Sequence, residues 1–324
     1  MIYGQLVVAG ALDALFEPAE CPNPPKYLSE SQLRYTGISA ALDQQLCVGV
    51  EFTKLAMVGR IQPFMVYLLS CISPAFLTIC IEGLRADGPG QWFSTLSLIL
   101  TASAAGIGVP VAWLFMLVIF QREPKKPLSR PAAEAAFIAH VFGYLIPYCL
   151  MVVTMNEYSI VLWTFFMLWV PIIQKVWLNV RPSTPESGFW ITQLALGTTF
   201  LVTAAVHLTM AVSYAHRTTW DDFVQWLPAT TTKDPKALAL EGTMLQLLQW
   251  DWVFAVIAPI VAGFFYVDSA SELLGFAMVV PMLLPLAGPG AAIALIWMWR
   301  EWKLTMLEET EQQERRQVKE QKQE

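Results

Sequence analysis

Charge is what this 324-residue sequence has least of. Asp, Glu, Lys and Arg make up 14% of it, where a soluble domain of this size carries about 25%. Apolar residues fill the deficit, at 56% of the chain and a mean hydropathy of +0.49, and the balance points to a membrane protein. Cysteine is scarce too. The five residues at 21, 47, 71, 80 and 149 are odd in number and lack CxxC spacing, which argues against a disulfide framework or a zinc site. A net charge of −6 offers nothing to nucleic acid. No HExxH, GxSxG, Walker A or GxGxxG is present, so metal, nucleotide and serine-hydrolase chemistry lose support. No metal ligands and no cofactor are expected. No internal repeat is visible, which weakens a transporter reading built on inverted repeats.

What is there is a series of apolar stretches near or above the roughly 20 residues that cross a bilayer. They lie at 61–81, 95–120, 132–153, 158–178, 189–214, 252–267 (helical from about 238) and 273–299. Lipid cannot satisfy open backbone groups, and no ten-residue alternating pattern suggests a barrel. The expected fold is all-α, a polytopic transmembrane helix bundle of seven or eight spans. Two further segments are ambiguous. IYGQLVVAGALDALF, 2–16, is short, carries Asp13 and lacks the basic n-region of a signal peptide. TGISAALDQQLCVGVEFTKLAMVG, 36–59, suits a helix lying at the interface. The chain thus divides into an N-terminal segment 1–60, a bundle 61–300 and a charged tail 301–324. LAGPGA, 286–291, is positioned to break the last span. With seven spans, Lys and Arg are shared almost evenly between the two sides, and orientation stays open.

A polar residue inside a span is costly and marks function by default. Glu82 and Asp268 end helices, where they can face headgroup water. Glu134 sits in a first turn, where a carboxylate complements the helix dipole. Glu51 lies at an edge. His140 and Tyr144, four apart, share a helical face, and His207 reads as packing glue between helices. The strongest stretch is EGTMLQLLQWD, 241–251, an apolar run closed by a carboxylate at each end. On one continuous helix Glu241 and Asp251 stand about 15 Å apart, too far to share a proton or a metal ion but able to line one cavity at two depths. Gln249, Trp250 and Trp252 surround the second acid. The bland alternative is a pair of interfacial acids with a tryptophan belt.

Further motifs are missing. Intramembrane prenyltransferases hold magnesium diphosphate with aspartate-rich pairs, and no DxxxD occurs. DDFVQ, 221–225, lacks the last acid of DDxxD. What is left is acid–base chemistry by carboxylates in an apolar, aromatic-rich box. Taken together, ALDQQLCVGVEF (41–52), ICIEGLRADGPG (79–90), EGTMLQLLQWD and GPGAAIALIWMWRE (288–301) resemble a family of fungal integral-membrane proteins of secondary-metabolite clusters. Some members are meroterpenoid cyclases of the ascofuranone and ascochlorin type. The likeness runs from about residue 40 onward and rests on loose motifs. Where the family's last span ends in a more acidic WERDE-like stretch, this chain has WMWREW.

That resemblance implies a membrane-bound, protonation-initiated terpene cyclase in the endoplasmic reticulum, with Glu241 and Asp251 as the matching acids. Its substrate would be a prenylated polyene dissolved in the lipid membrane, supplied by a prenyltransferase and an epoxidase. Burial favours the neutral form of a carboxylic acid, ready to donate. Aromatic faces stabilise cations, by about 2 kcal/mol when desolvated, and Trp163, Phe165, Phe166 and Trp169 place such rings deep in a span. Two rivals stand beside this reading: a small-molecule transporter, favoured by Pro147, Pro171 and Pro259 within spans, and a non-catalytic accessory protein.

Overall fold

The computed structural model describes residues 39–57, 59, 61–86, 88–119, 126–182, 184, 186–217 and 240–322. The segment 2–16 and the DDFVQ motif lie outside them. Among the described residues no strand occurs, only an isolated bridge between Ser129 and Ser187. The helices are α1 (Ala40–Ala56), α2 (Gln62–Gly83), α3 (Gln91–Ser103), α4 (Ala105–Ile119), α5 (Arg130–His140), α6 (Ile146–Thr154), α7 (Glu157–Thr164), α8 (Phe166–Val180), α9 (Phe189–Arg217), α10 (Leu240–Phe264), α11 (Ala270–Ala287) and α12 (Pro289–Gln321). A π turn, Val141–Leu145, joins α5 to α6 without a break. Side-chain caps start several of them: Ser39 accepts from the Leu42 amide, Asn156 from Tyr158 and Ser269 from Glu272. Proline opens α2, α5 and α12, where a missing N–H costs nothing.

Among the described residues, five helices are long and apolar enough to cross a membrane: α2, the continuous α5–α6, α9 (Phe189–Ser213), α10 (Met244–Phe264) and α11. Joined across their 57° bend, α7 and α8 make a sixth. Among the described residues the expected count of seven or eight falls to five or six because two apolar runs, 95–120 and 158–178, are broken. At Ala104 the backbone is extended (φ −166°, ψ 111°), which cuts 95–120 into helices of 13 and 15 residues, each too short to span alone. The second break is at Phe165, where α7 and α8 bend so that 158–178 is one span or none; a further break at Gly288 (φ 86°), inside LAGPGA, separates α11 from α12.

The centre of the bundle is α2. Nineteen of its 22 residues are buried, as an all-round apolar sequence requires. Packed around it are α3, α5, α9, α10 and α12. The α5–α6 helix runs antiparallel to it and is fastened by a column of rings four residues apart. His140 Nε2 pairs with Ser73 Oγ at 3.0 Å, Tyr144 donates its hydroxyl to the Leu69 carbonyl at 2.8 Å, and Tyr148 to that of Val66 at 2.9 Å. The rings stack on one another, 5.5 Å from His140 to Tyr144 and 6.2 Å from Tyr144 to Tyr148. Pro147 has no N–H for the Gly143 carbonyl, and the π turn absorbs that missing bond where the column passes.

After Ala104 the chain turns back, and α3 and α4 form a hairpin so tight that a Cβ on Gly108 would fall 2.4 Å from the Thr101 backbone. Both open ends of this hairpin lie where α2 finishes. There Glu82, Arg85, Arg300 and Glu301 form a buried cluster of zero net charge. Glu82 accepts from Arg85 Nε at 2.8 Å and from both terminal nitrogens of Arg300 at 2.5 and 3.2 Å. Arg85 also pairs with Glu301 and donates to the Lys126 carbonyl at 3.0 Å. Arg300 lies over the rings of Tyr266 and Trp297, 4.1 and 4.9 Å from their centres. The expectation that Glu82 faces headgroup water is therefore corrected: its side chain is wholly buried, because WMWREW brings two charges to it. The helix-end acid Asp268 is exposed and pairs with Lys303 at 2.7 Å.

The reading against disulfides also needs correction. Cys47 on α1 is disulfide-bonded. Since Cys71, Cys80 and Cys149 are free, its partner lies outside the described residues.

Removing one member of a buried ion cluster leaves an uncompensated charge, at a cost of about 3–5 kcal/mol. Arg85→Met is expected to lower the thermal midpoint of detergent-purified protein by far more than Arg315→Met, whose side chain is exposed in α12. Equal midpoints for the two variants would show that the cluster does not hold α2 to α12.

Candidate active site

Asp251 stands in the middle of α10 (residues 240–264), which is continuous through the whole EGTMLQLLQWD stretch. It is partly buried, and its Oδ1 accepts the Gly106 amide of α4 at 2.6 Å. The Ala105 amide donates to the same carboxylate. These are first-turn N–H groups with no partner inside their own helix, so Asp251 caps the returning arm of the hairpin from another element. The approach depends on Gly106. A Cβ there would lie 2.8 Å from the Asp251 Cα and 3.0 Å from its Oδ1.

Glu51, Glu82, Glu134, Glu157, Glu272 and Glu301 each face a Lys or Arg side chain. Asp251 is held by backbone amides instead, with no cation paired to it among the described residues. That distinguishes it from every acid in the group.

Its neighbours divide by helical face. Trp252 turns toward α2, its ring centre 6.2 Å from that of Phe64 and 6.0 Å from that of Tyr67. The Tyr67 hydroxyl is 2.9 Å from His207 Nδ1, and His207 Nε2 is 3.1 Å from the Pro285 carbonyl. A carbonyl only accepts, so Nε2 carries the proton and Nδ1 receives the tyrosine's. Pro285 has its carbonyl free because α11 ends at Ala287 and Pro289 has no N–H to offer. Cys71 lies against Tyr67 and Trp252. Gln249 is buried, whereas Trp250 stacks on Phe254 at 5.8 Å, on a different face from Trp252. The side chain of Glu241 lies outside the described residues; its backbone is in the first turn of α10.

The remaining expected site residues lie elsewhere. Glu51 is 2.8 Å from Lys54, which also reaches Glu157 at 2.7 Å, joining α1 to α7. His140 belongs to the column against α2. Trp163 stacks on Phe166 at 5.7 Å, beside Tyr144, and Phe166 and Tyr144 are themselves buried. Their rings pack on one another and on Phe76, so this group is filled core. Trp169 is 38% exposed and donates its indole N–H to the Leu162 carbonyl at 3.0 Å. Glu134 is tied to Arg130 and Arg181. A groove of about 330 Å³ lies between α11 and α12, walled by Phe276, Val280, Ile296 and Trp299 with Glu272 in its lining; Asp251 is not among its lining residues.

The hairpin tip and Tyr67 escaped the sequence reading. Glycine at 106 and 108 beside Ala104 was the available signal, but small residues in an apolar run read as span. Among the described residues no three His, Cys, Asp or Glu side chains gather as a metal site would need. Comparison with family models, with curated proteins and with solved structures found no match.

The capping contact has its own test. Asp251→Asn keeps an acceptor oxygen for the Gly106 amide and should melt close to wild type. Asp251→Leu leaves amides unpaired, at a cost of about 1–3 kcal/mol each, and should melt well below it. Identical midpoints for Asp251→Leu and wild type would mean that the acid does not secure α4.

Proposed function

We propose that this chain is a multi-pass membrane enzyme, a metal-independent terpene cyclase of the protonation-initiated type, with Asp251 as its acid. The observation that carries the reading is a carboxyl on an apolar helix that meets no cation among the described residues, only the amides of a broken helix, with Trp252, Phe64 and Tyr67 on the adjoining face. Supporting it are the long apolar helices and the sequence motifs of the fungal cyclases. Protonating an epoxide oxygen or an alkene carbon leaves an anion on the acid. The Gly106 and Ala105 amides and the positive end of the α4 dipole are already aimed at that anion, a preorganised arrangement of the kind that lowers a barrier. Aromatic faces then stabilise the cation formed on the polyene. Glu241, about 15 Å away along the helix, is the second acid of the proposal, acting at a different depth. The substrate is a prenylated or terpenoid polyene in the lipid phase, made by a prenyltransferase and an epoxidase, and the endoplasmic reticulum is the proposed location. The finer bundle count of seven follows if the α11–α12 pair forms two full passes.

A carrier is the second reading. Breaks at Ala104, between α7 and α8, and at Gly288 are the discontinuities from which carrier sites are built.

Microsomes containing the protein should convert a prenylated epoxide to a cyclic isomer of unchanged mass, separable by chromatography and identified by mass spectrometry. A positioned general acid contributes about 10²–10⁴-fold. Asp251→Asn, which keeps the capping oxygen, should therefore lose at least about a hundredfold of rate without losing its thermal midpoint. Near wild-type turnover by both Asp251→Asn and Glu241→Gln would remove these acids from the chemistry. Flux of a polar solute into proteoliposomes, with no conversion of the epoxide, would replace the enzyme by the carrier.

A further inference from the structure

The bundle has two chemically different ends. At one end lie α1, the start of α2 and the α6–α7 junction, joined by the Lys54–Glu157 pair. The other end holds the Glu82–Arg85–Arg300–Glu301 cluster. Arg85 alone fixes which connections emerge there, since it bonds both the Lys126 carbonyl and Glu301. Lys126 and the C-terminal part of α12 therefore lie on the same side of the bundle.

Basic residues divide unequally between these ends. Among the described residues, Arg85, Lys126, Arg130, Lys175, Arg181, Arg300, Lys303 and the four Lys and Arg of 315–322 lie toward the cluster end, against Lys54 and Arg217 at the other. Lys and Arg accumulate on the cytoplasmic side of membrane proteins. Independently, Cys47 on α1 is disulfide-bonded, and disulfides persist where the compartment is oxidising. A charge rule and a redox rule, resting on different residues, give the same answer.

We infer that the protein is oriented with the α1 end in the oxidising, non-cytosolic compartment and the four-charge cluster and α12 tail on the cytosolic side. The orientation assigns a side to the acid. Trp252 packs on Phe64 and Tyr67, in the first two turns of α2, so Asp251 sits in the non-cytosolic half of the bilayer. The hairpin of α3 and α4 enters from the cytosolic side and reaches across to meet it. A substrate approaching Asp251 along the bilayer does so in the lumenal leaflet, and protons exchanged with water at this acid come from the lumen. The inference rests on the membrane reading above and not on the cyclase reading.

The chain has no Asn-X-Ser/Thr of its own, so an introduced acceptor reports its side without background. In yeast microsomes Gly37→Asn places an acceptor ahead of Ser39, and Glu308→Asn places one ahead of Thr310. Gly37→Asn should gain a glycan removable by endoglycosidase, and Glu308→Asn none. Protease added to sealed vesicles should remove a C-terminal epitope, and this readout decides the side even where a glycan site is used poorly. Protection of the epitope, or a glycan on Glu308→Asn, overturns the orientation. Carbonate extraction of the same vesicles separates the two readings: release of the protein into the supernatant would end the membrane reading itself.

Discussion

A helix with no outward face has to be enclosed on every side, and α2 imposes that requirement on the whole bundle. Its residues 64 to 83 are buried almost without exception, so its neighbours are arranged by what they must cover. Long helices supply most of the cover, and the hairpin of α3 and α4 fills part of what they leave. Being too short to span, the hairpin ends inside the bundle, and its tip exposes amides that need an acceptor. Asp251 is that acceptor. The acid proposed for catalysis thus occupies a place that packing around α2 created.

The double duty proposed for Asp251 would tie the site to the scaffold. An acid that caps a helix is oriented without needing a cation, and a cation would hold it permanently as a salt. The amides offer something different: they can receive the charge when it forms. Trp252 is carried on the same turn but faces α2, so the acid and the aromatic wall are fixed relative to each other by one stretch of helix. Tyr67 and His207 close the far side of that wall.

Much of this was legible in the sequence, with a clear limit. Segments such as 132–153 and 189–214 announce themselves because hydropathy is a property of composition, and composition survives averaging. Ala104 does not, since one extended residue changes the direction of a chain without changing its mean hydropathy. Glu82 was misread for a related reason. Its position at a helix end is visible, but its partners Arg300 and Glu301 lie more than two hundred residues away, and nothing local signals that the two helix ends meet. Asp251 stood out as a carboxylate in an oily run, while the amides that hold it belong to a hairpin the sequence shows as a single span. The column of His140, Tyr144 and Tyr148 was partly readable from its spacing of four, but not that its polar atoms all go to α2.

The make-up of the four-charge cluster bears on how the chain is built. Glu82 and Arg85 lie one helical turn apart, and Arg300 and Glu301 are adjacent. Each helix therefore delivers a neutral pair rather than a bare charge. During synthesis α2 enters the bilayer long before α12 exists, and an unmatched Glu82 would have to wait among lipids or be pulled back toward water. With Arg85 beside it, it arrives already neutralised. When Arg300 and Glu301 follow, Arg300 joins Glu82 and Glu301 joins Arg85 while the first pair stays bonded. Late assembly of the last helix thus becomes the docking of two dipoles instead of a rescue of two stranded ions.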